Sequence, residues 1–258
     1  METRLNAVMD GAAAEHIREG IPVLASYSDA LGVRAFAQGN NLRNDLDETL
    51  FRTIEDLCEA PLINLESAMN HPCQALADWR TLDELQISQR AKFVLSWVYH
   101  PKALPLAVPA AVLHMAAMRG MEVVVARPPG FDLPPEIMDK ARAAASASGG
   151  SVRETSDRAA ALRGASVLYA KEWGSTAHYG DLEGDAQLRA QLKDWCVREQ
   201  WFSAAQPDAK FMHCLPVRRN VAVADEVLDG PRAAVKREAF NRLTVQTAVL
   251  YRMLAAAA

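Results

Sequence analysis

Lys92-Phe93-Val94-Leu95-Ser96-Trp97-Val98, then a helical pattern over Leu106–Arg119, then Glu122-Val123-Val124-Val125-Ala126, is the stretch whose reading decides the fold. The two apolar runs have strand length, and the longer pattern between them has helix length. Pro105 and Pro109 stand near the start of that pattern, where a missing amide hydrogen costs least. From Lys92 to Gly130 the chain therefore reads as a βαβ unit with a short, buried first strand.

The alternation continues outward in both directions. Further strands are expected at Leu31–Phe36, Pro61–Leu65, Ser151–Glu154, Ser166–Ala170, Lys210–Cys214 and Ala233–Lys236. Further helices are expected at Ala13–Tyr27, Asp45–Cys58, Gln74–Leu85, Pro135–Ala147, Ala186–Gln200 and Arg242–Ala255. Strands separated by helices imply an α/β fold, here two doubly wound parallel-sheet domains with helices on both faces. The polar segment Gln86-Ile87-Ser88-Gln89-Arg90 follows a helix and marks the boundary, with residues 1–88 before it and 89–240 after it. The first part supplies only two strands, so the first domain is expected to be incomplete at its amino end.

The chain has 258 residues, a formal net charge of −4, and 50% hydrophobic and 23% charged residues. That balance points to a soluble globular protein and away from nucleic acid or an anionic membrane as partner. A site for an anionic ligand must then gather its positive charge locally. No apolar run reaches the length of a membrane span. Cys58, Cys73, Cys196 and Cys214 show no Cys-x-x-Cys spacing and read as free thiols in a reducing cytoplasm, not as a metal site.

Two polar clusters each follow a strand-like run and precede a helical one. They are His71-Pro72-Cys73-Gln74 and His213-Cys214-Leu215-Pro216-Val217-Arg218-Arg219. Open α/β sheets place ligand groups beyond the carboxyl ends of strands, so the clusters are expected to form two halves of one site. His213 and Cys214 are adjacent on a strand and point to opposite faces, which argues against a nucleophile–base pair. Arg218 is expected to meet ligand and Arg219 to be structural. His114 and His178 carry no motif, His16 has no defined role, and Trp79, Trp195 and Trp201 read as packing residues.

At these clusters the chain resembles the aspartate/ornithine carbamoyltransferase family, and in particular its N-acetylornithine and N-succinylornithine branch. The resemblance also rests on Val8-Met9-Asp10-Gly11, Gly32-Val33-Arg34-Ala35-Phe36, Trp97-Val98-Tyr99-His100-Pro101-Lys102, Tyr169-Ala170-Lys171-Glu172-Trp173-Gly174 and Asn241-Arg242-Leu243, all in family order. It implies carbamoyl transfer from carbamoyl phosphate to the side-chain amine of an N-acylated ornithine, in arginine biosynthesis, by a cytoplasmic homotrimer without metal or organic cofactor. It also implies that residues 1–88 bind carbamoyl phosphate, that 89–240 bind acyl-ornithine, and that 241–258 form a helix returning to the first domain.

The resemblance assigns roles by position. His71, Cys214 and Arg34 are the expected catalytic residues. Arg34, His71, Gln74, Cys214, Leu215 and Arg242 are expected to hold carbamoyl phosphate, with His71 donating to its carbonyl oxygen and Gln74 meeting its amide. Glu66, Lys171, Arg218 and Ala14 are expected on the acyl-ornithine side. The sequence also departs from the family. The Ser-x-Arg-Thr-Arg phosphate loop is missing, so the chain is expected to be amino-terminally truncated and to show no detectable transfer as it stands. Ala222 replaces a lysine of some acetylornithine enzymes, and Ala14 occupies an acyl-tuning position that is glutamate or proline elsewhere. The acyl group, acetyl or succinyl, stays open. Two alternatives stand beside this reading: ornithine carbamoyltransferase, whose Ser-Met-Gly loop is not found, and an inactive remnant.

Overall fold

The computed structural model describes residues 1–3 and 7–257. The first part contains α1 (Ile17–Ser26), β1 (Leu31–Arg34), α2 (Leu42–Leu46), α3 (Thr49–Leu57), β2 (Leu62–Glu66) and α4 (Pro72–Glu84). β1 and β2 pair in parallel, with Leu31 opposite Leu62. The second part runs β3 (Lys92–Trp97), α5 (Ala107–Met118), β4 (Glu122–Ala126), α6 (Pro135–Ser148), β5 (Ser151–Thr155), α7 (Arg158–Leu162), β6 (Val167–Lys171), α8 (Leu182–Ala190), β7 (Lys210–Met212), α9 (Asp225–Leu228) and α10 (Val235–Ala257). Its five strands form a parallel sheet in the order β5-β4-β3-β6-β7.

The chain builds outward from β3 to β5, then crosses back to β6 and β7. Crossovers between parallel strands are right-handed, so this reversal puts α5 and α6 on one face and α7 on the other. Phe93, Val94, Leu95, Val123, Val124, Val125 and Val167 are fully buried, as strands covered on both faces require. The reversal falls between β3 and β6. The carboxyl ends of strands flanking such a switch point form a natural crevice.

The first sheet is joined to the second through its helices. α10 leaves the second sheet and packs along α4. The Arg237 guanidinium forms two bonds to the Glu84 carboxylate, at 2.5 and 2.7 Å. Buried Asn241 donates Nδ2 to Thr81 Oγ1 and Glu84 Oε2, each at 2.9 Å.

Some expected elements differ from the observed ones. Ala233–Lys236 is not a strand. Ala233 makes one bridge to Phe211, and α10 begins at Val235, so the backbone turns away after a single rung. Asp45–Cys58 is two helices, because Glu48 takes a left-handed φ of 54° between them. That turn aims the Glu48 carboxylate at the loop after β2, where it accepts from Ala68 N at 3.0 Å, Met69 N at 2.9 Å and Ser67 Oγ at 2.8 Å. The expected helix Ala186–Gln200 ends at Ala190, and a 3-10 turn follows at Glu199–Phe202. β7 ends at Met212, two residues early, which puts His213 and Cys214 in the loop beyond it. α1 begins at Ile17 and not at Ala13, with His16 as its N-cap.

Candidate active site

A cleft of about 190 Å³ lies where the two sheets' carboxyl ends meet. Each wall comes from a different element. Arg34 ends β1 and Glu66 ends β2, so both side chains stand beyond their sheet edge. His71 is the N-cap of α4, and Gln74 lies one turn into that helix. Lys171 ends β6, Cys214 and Leu215 follow β7, and Arg242 projects from α10. Leu104, Pro105 and Val108 supply the apolar wall between β3 and α5.

His71 is nearly buried, and burial together with the Arg242 and Arg34 charges lowers its imidazole to about 4. It is therefore neutral at physiological pH and keeps one N–H for donation. Its Nε2 stands 3.7 Å from Glu66 Oε2, and its Nδ1 has no protein partner among the described residues. Glu66 also accepts from the Arg34 guanidinium, which in turn lies over the Phe36 ring at 4.7 Å. Arg242 makes no ion pair among the described residues, so its charge is left for the cleft.

The loop after β7 is held from behind. Leu215 has a φ of 52°, a left-handed conformation that costs a non-glycine residue about 1–2 kcal/mol. His213 Nδ1 accepts the Leu215 amide at 3.0 Å and so supports that turn. The opposite nitrogen then carries the hydrogen and donates to Glu172 Oε2 at 3.2 Å. Burial would raise the Glu172 carboxyl, but this hydrogen bond and Lys171, 3.4 Å away, hold it at about 2. Burial pushes the His213 imidazole toward its neutral form, against the pull of the Glu172 carboxylate. The Cys214 thiol is pushed up to about 12 by burial and by nearby Glu238, Glu172 and Asp78, against the pull of Lys171. It stays protonated at neutral pH and is no thiolate nucleophile.

Eight of the expected site residues thus share this cleft: Arg34, Glu66, His71, Gln74, Lys171, Cys214, Leu215 and Arg242. Arg218 does not line it. Its Nε donates to His100 Nε2 at 2.9 Å, while His100 Nδ1 lies 2.9 Å from the Lys102 carbonyl. Ala14 is exposed ahead of α1 and does not line it either. Arg219 is paired with Asp225 and Asp229, each at 2.7 Å. Residues behind the cleft went unassigned in the sequence: Glu172, Glu238, Tyr169 and His100. The available signal was spacing, since Gln74 and Asp78, and likewise Glu238 and Arg242, are four apart on helical patterns. A larger groove of about 510 Å³ carries Asp132, Glu136 and Glu154 against one arginine, Arg142, which is the wrong sign for an anion.

Two family descriptions match the chain in order. Aspartate/ornithine carbamoyltransferase, carbamoyl-P binding domain, covers residues 2–84, and the Asp/Orn binding domain of the same family covers residues 108–253. The chain belongs to the aspartate/ornithine carbamoyltransferase family. Within it the chain groups with the N-acylornithine branch. It is 35% identical over 254 residues to N-succinylornithine carbamoyltransferase of Bacteroides fragilis (strain 638R), covering 98% of this chain and 75% of that protein. It is 38% identical to N-acetylornithine carbamoyltransferase of Xanthomonas axonopodis pv. citri (strain 306), covering 97% of this chain and 74% of that protein. A crystal structure of acetylornithine transcarbamylase complexed with acetylcitrulline superposes with a TM-score of 0.92 at 38% identity, covering 98% of this chain and 76% of that one.

Proposed function

We propose that the cleft transfers a carbamoyl group from carbamoyl phosphate to the side-chain amine of an N-acylated ornithine, giving an N-acylcitrulline and phosphate in arginine biosynthesis. The observation that carries this reading is the convergence of Arg34, Lys171 and Arg242 on a neutral His71 and a protonated Cys214 in one small cleft. Attack of the amine on the carbamoyl carbon puts negative charge on its oxygen. The His71 N–H is the donor for that oxygen, and a neutral donor keeps its proton through the step. The bond from carbon to the phosphate oxygen then breaks, and Arg34 and Arg242 hold the leaving phosphate. The proton lost by the amine passes to the departing phosphate, which leaves as the monohydrogen dianion, with the Cys214–Leu215 loop beside the amine. Holding both reactants in line supplies much of the rate, so chemistry needs no covalent intermediate on the enzyme.

The second substrate has room. A space of about 430 Å³ adjoins the cleft through Leu104 and Pro105 and is edged by Gln38, Asn40, His178 and Tyr179. In this reading residues 1–88 hold carbamoyl phosphate, 89–240 hold acyl-ornithine with Lys171 and Arg218, helped by Glu66 of the first part, and 241–258 return Arg242 to the first part. Ala14 stands outside the cleft of its own chain, so an acyl-tuning role requires a neighbouring protomer, in line with the homotrimer the family resemblance implies. The free thiols Cys73 and Cys196 accord with a cytoplasmic setting. Related solved structures include a transcarbamylase variant complexed with carbamyl phosphate and N-succinyl-L-norvaline, and such unreactive analogues provide the test.

Calorimetry should show binding of carbamoyl phosphate and, in its presence, of N-succinylnorvaline or N-acetylnorvaline in preference to norvaline. Arg34→Lys and Arg242→Lys each lose a forked guanidinium and should weaken carbamoyl phosphate about tenfold or more, with the acyl ligand much less affected. Preference for unacylated norvaline, or equal weakening of both ligands, would overturn the assignment.

A further inference from the structure

Behind the cleft floor, four elements meet on one buried carboxyl pair, Asp78 of α4 and Glu238 of α10. Gln74 Nε2 donates to Asp78 Oδ1 at 2.8 Å and to Glu238 Oε1 at 3.0 Å. Tyr169 of β6 donates its hydroxyl to Glu238 Oε1 at 3.1 Å, and His213 N, beyond β7, donates to Glu238 Oε2 at 3.0 Å. Asp78 and Glu238 are fully buried. The Gln74 amide oxygen is also buried, has no partner among the described residues, and belongs to a side chain lining the cleft.

An amide is nearly the same shape after a half-turn, so only its partners decide which end faces where. Here both hydrogens of Nε2 meet carboxyl oxygens. The reverse orientation would set Oε1 against two acceptors and turn the NH₂ toward the cleft. We infer that the Asp78–Glu238 pair positions Gln74 with its carbonyl oxygen toward the cleft, as an acceptor for the amide N–H of the carbamoyl group, and joins that setting to the His213–Leu215 loop. Identifying the ligand as carbamoyl phosphate rests on the proposed function, whereas the orientation of Gln74 stands on its own contacts. Burial pushes both acids up: hydrogen bonds with Glu238, Gln74 and Tyr169 limit the rise of Asp78 to about 6, whereas the neighbouring Asp78 adds to the rise of Glu238, well above the ordinary carboxylate range. Gln74, Tyr169 and the His213 amide all donate to this pair.

The test compares Asp78→Ala, Asp78→Asn and Gln74→Ala by two readouts. In the first, carbamoyl phosphate and inorganic phosphate are titrated separately by calorimetry. Asp78→Ala should weaken carbamoyl phosphate roughly tenfold, as expected for a lost hydrogen bond of ordinary strength, and leave inorganic phosphate within about twofold. Asp78→Asn retains an acceptor for Gln74 and a donor toward Glu238, and should restore binding. In a Gln74→Ala background, Asp78→Ala should cost nothing further. In the second readout, the Gln74 side-chain amide, assigned in ¹⁵N-glutamine spectra by its loss in Gln74→Ala, should be protected from exchange and should lose that protection in Asp78→Ala. Equal weakening of both phosphate ligands, or a freely exchanging Gln74 amide in the unmutated protein, would overturn the inference. If the unmutated protein binds no carbamoyl phosphate while the Gln74 amide behaves as stated, the positioning stands and the proposed function falls.

Discussion

At the residue scale, His71 illustrates how an imidazole becomes a fixed neutral donor. Its position at the start of α4 places it between Arg242 and Arg34, and its burial removes the water that would stabilise a third positive charge. A proton relay would need an imidazole titrating near neutrality, whereas an oxyanion donor needs one that does not. The His71 ring should titrate at about 4 when followed by NMR. The sign of the linked stability follows. The unfolded imidazole takes up its proton near 6.5, above the folded value of about 4. The contribution of His71 is therefore complete above about 6.5 and is lost as the pH falls toward 4. His71→Ala should remove that dependence and lower turnover in an active form of the enzyme on the order of a hundredfold, as loss of one oxyanion donor does. A ring that titrates near 6.5, or turnover unchanged in the alanine variant, would refute the donor role.

At the element scale, the seam between α4 and α10 sets the site. One turn of α10 carries Glu238, Asn241 and Arg242. Glu238 reaches Gln74, Asn241 reaches Thr81 and Glu84, and Arg242 reaches the cleft. The exposed Arg237–Glu84 pair contributes little by itself, because solvent screens it and ordering two side chains costs entropy. Asn241 is different, since its amide bonds lie in the buried seam. Asn241→Ala removes both and should cost about 1–3 kcal/mol, read as a lower urea midpoint at constant m-value. It should also weaken carbamoyl phosphate binding, because Arg242 is the next residue. An unchanged midpoint would mean that the seam is held by apolar packing.

At the scale of the whole molecule, the two parts differ in what they bury. The continuous core built on Phe93, Leu95, Trp97, Val124 and Tyr169 extends through the second part and onto α10. The first sheet has a separate cluster formed by Ile17, Ile21, Ala35 and Ile54. Local opening is easiest where few apolar contacts are lost. Amides in residues 17–66 should therefore exchange much faster than those of β3, β4 and β6. Ligands that bridge Arg34 and Arg242 should narrow the gap. Equal protection in both parts of the free protein would contradict this picture.

Much of the architecture was legible in the residues themselves. The apolar runs Lys92–Val98 and Glu122–Ala126 have no polar face to offer water, so a parallel strand between helices was the natural reading, and β3 and β4 lie there. The His71 and His213 clusters follow strands and share one cleft for the same local reason. What failed was decided by contacts distant in sequence. Glu48 breaks a helix because its carboxylate is claimed by the backbone of residues 68 and 69. Ala233–Lys236 reads as a strand by composition, yet the sheet offers it one rung. Sequence by itself determined most of the strands and helices, and which loops carry polar chemistry, because those follow from side-chain period and from turn residues. Only the tertiary structure decided the neutral state of His71, the upward shift of the Asp78 and Glu238 carboxyls, and the orientation of Gln74, because each depends on charge and burial supplied by residues far away along the chain.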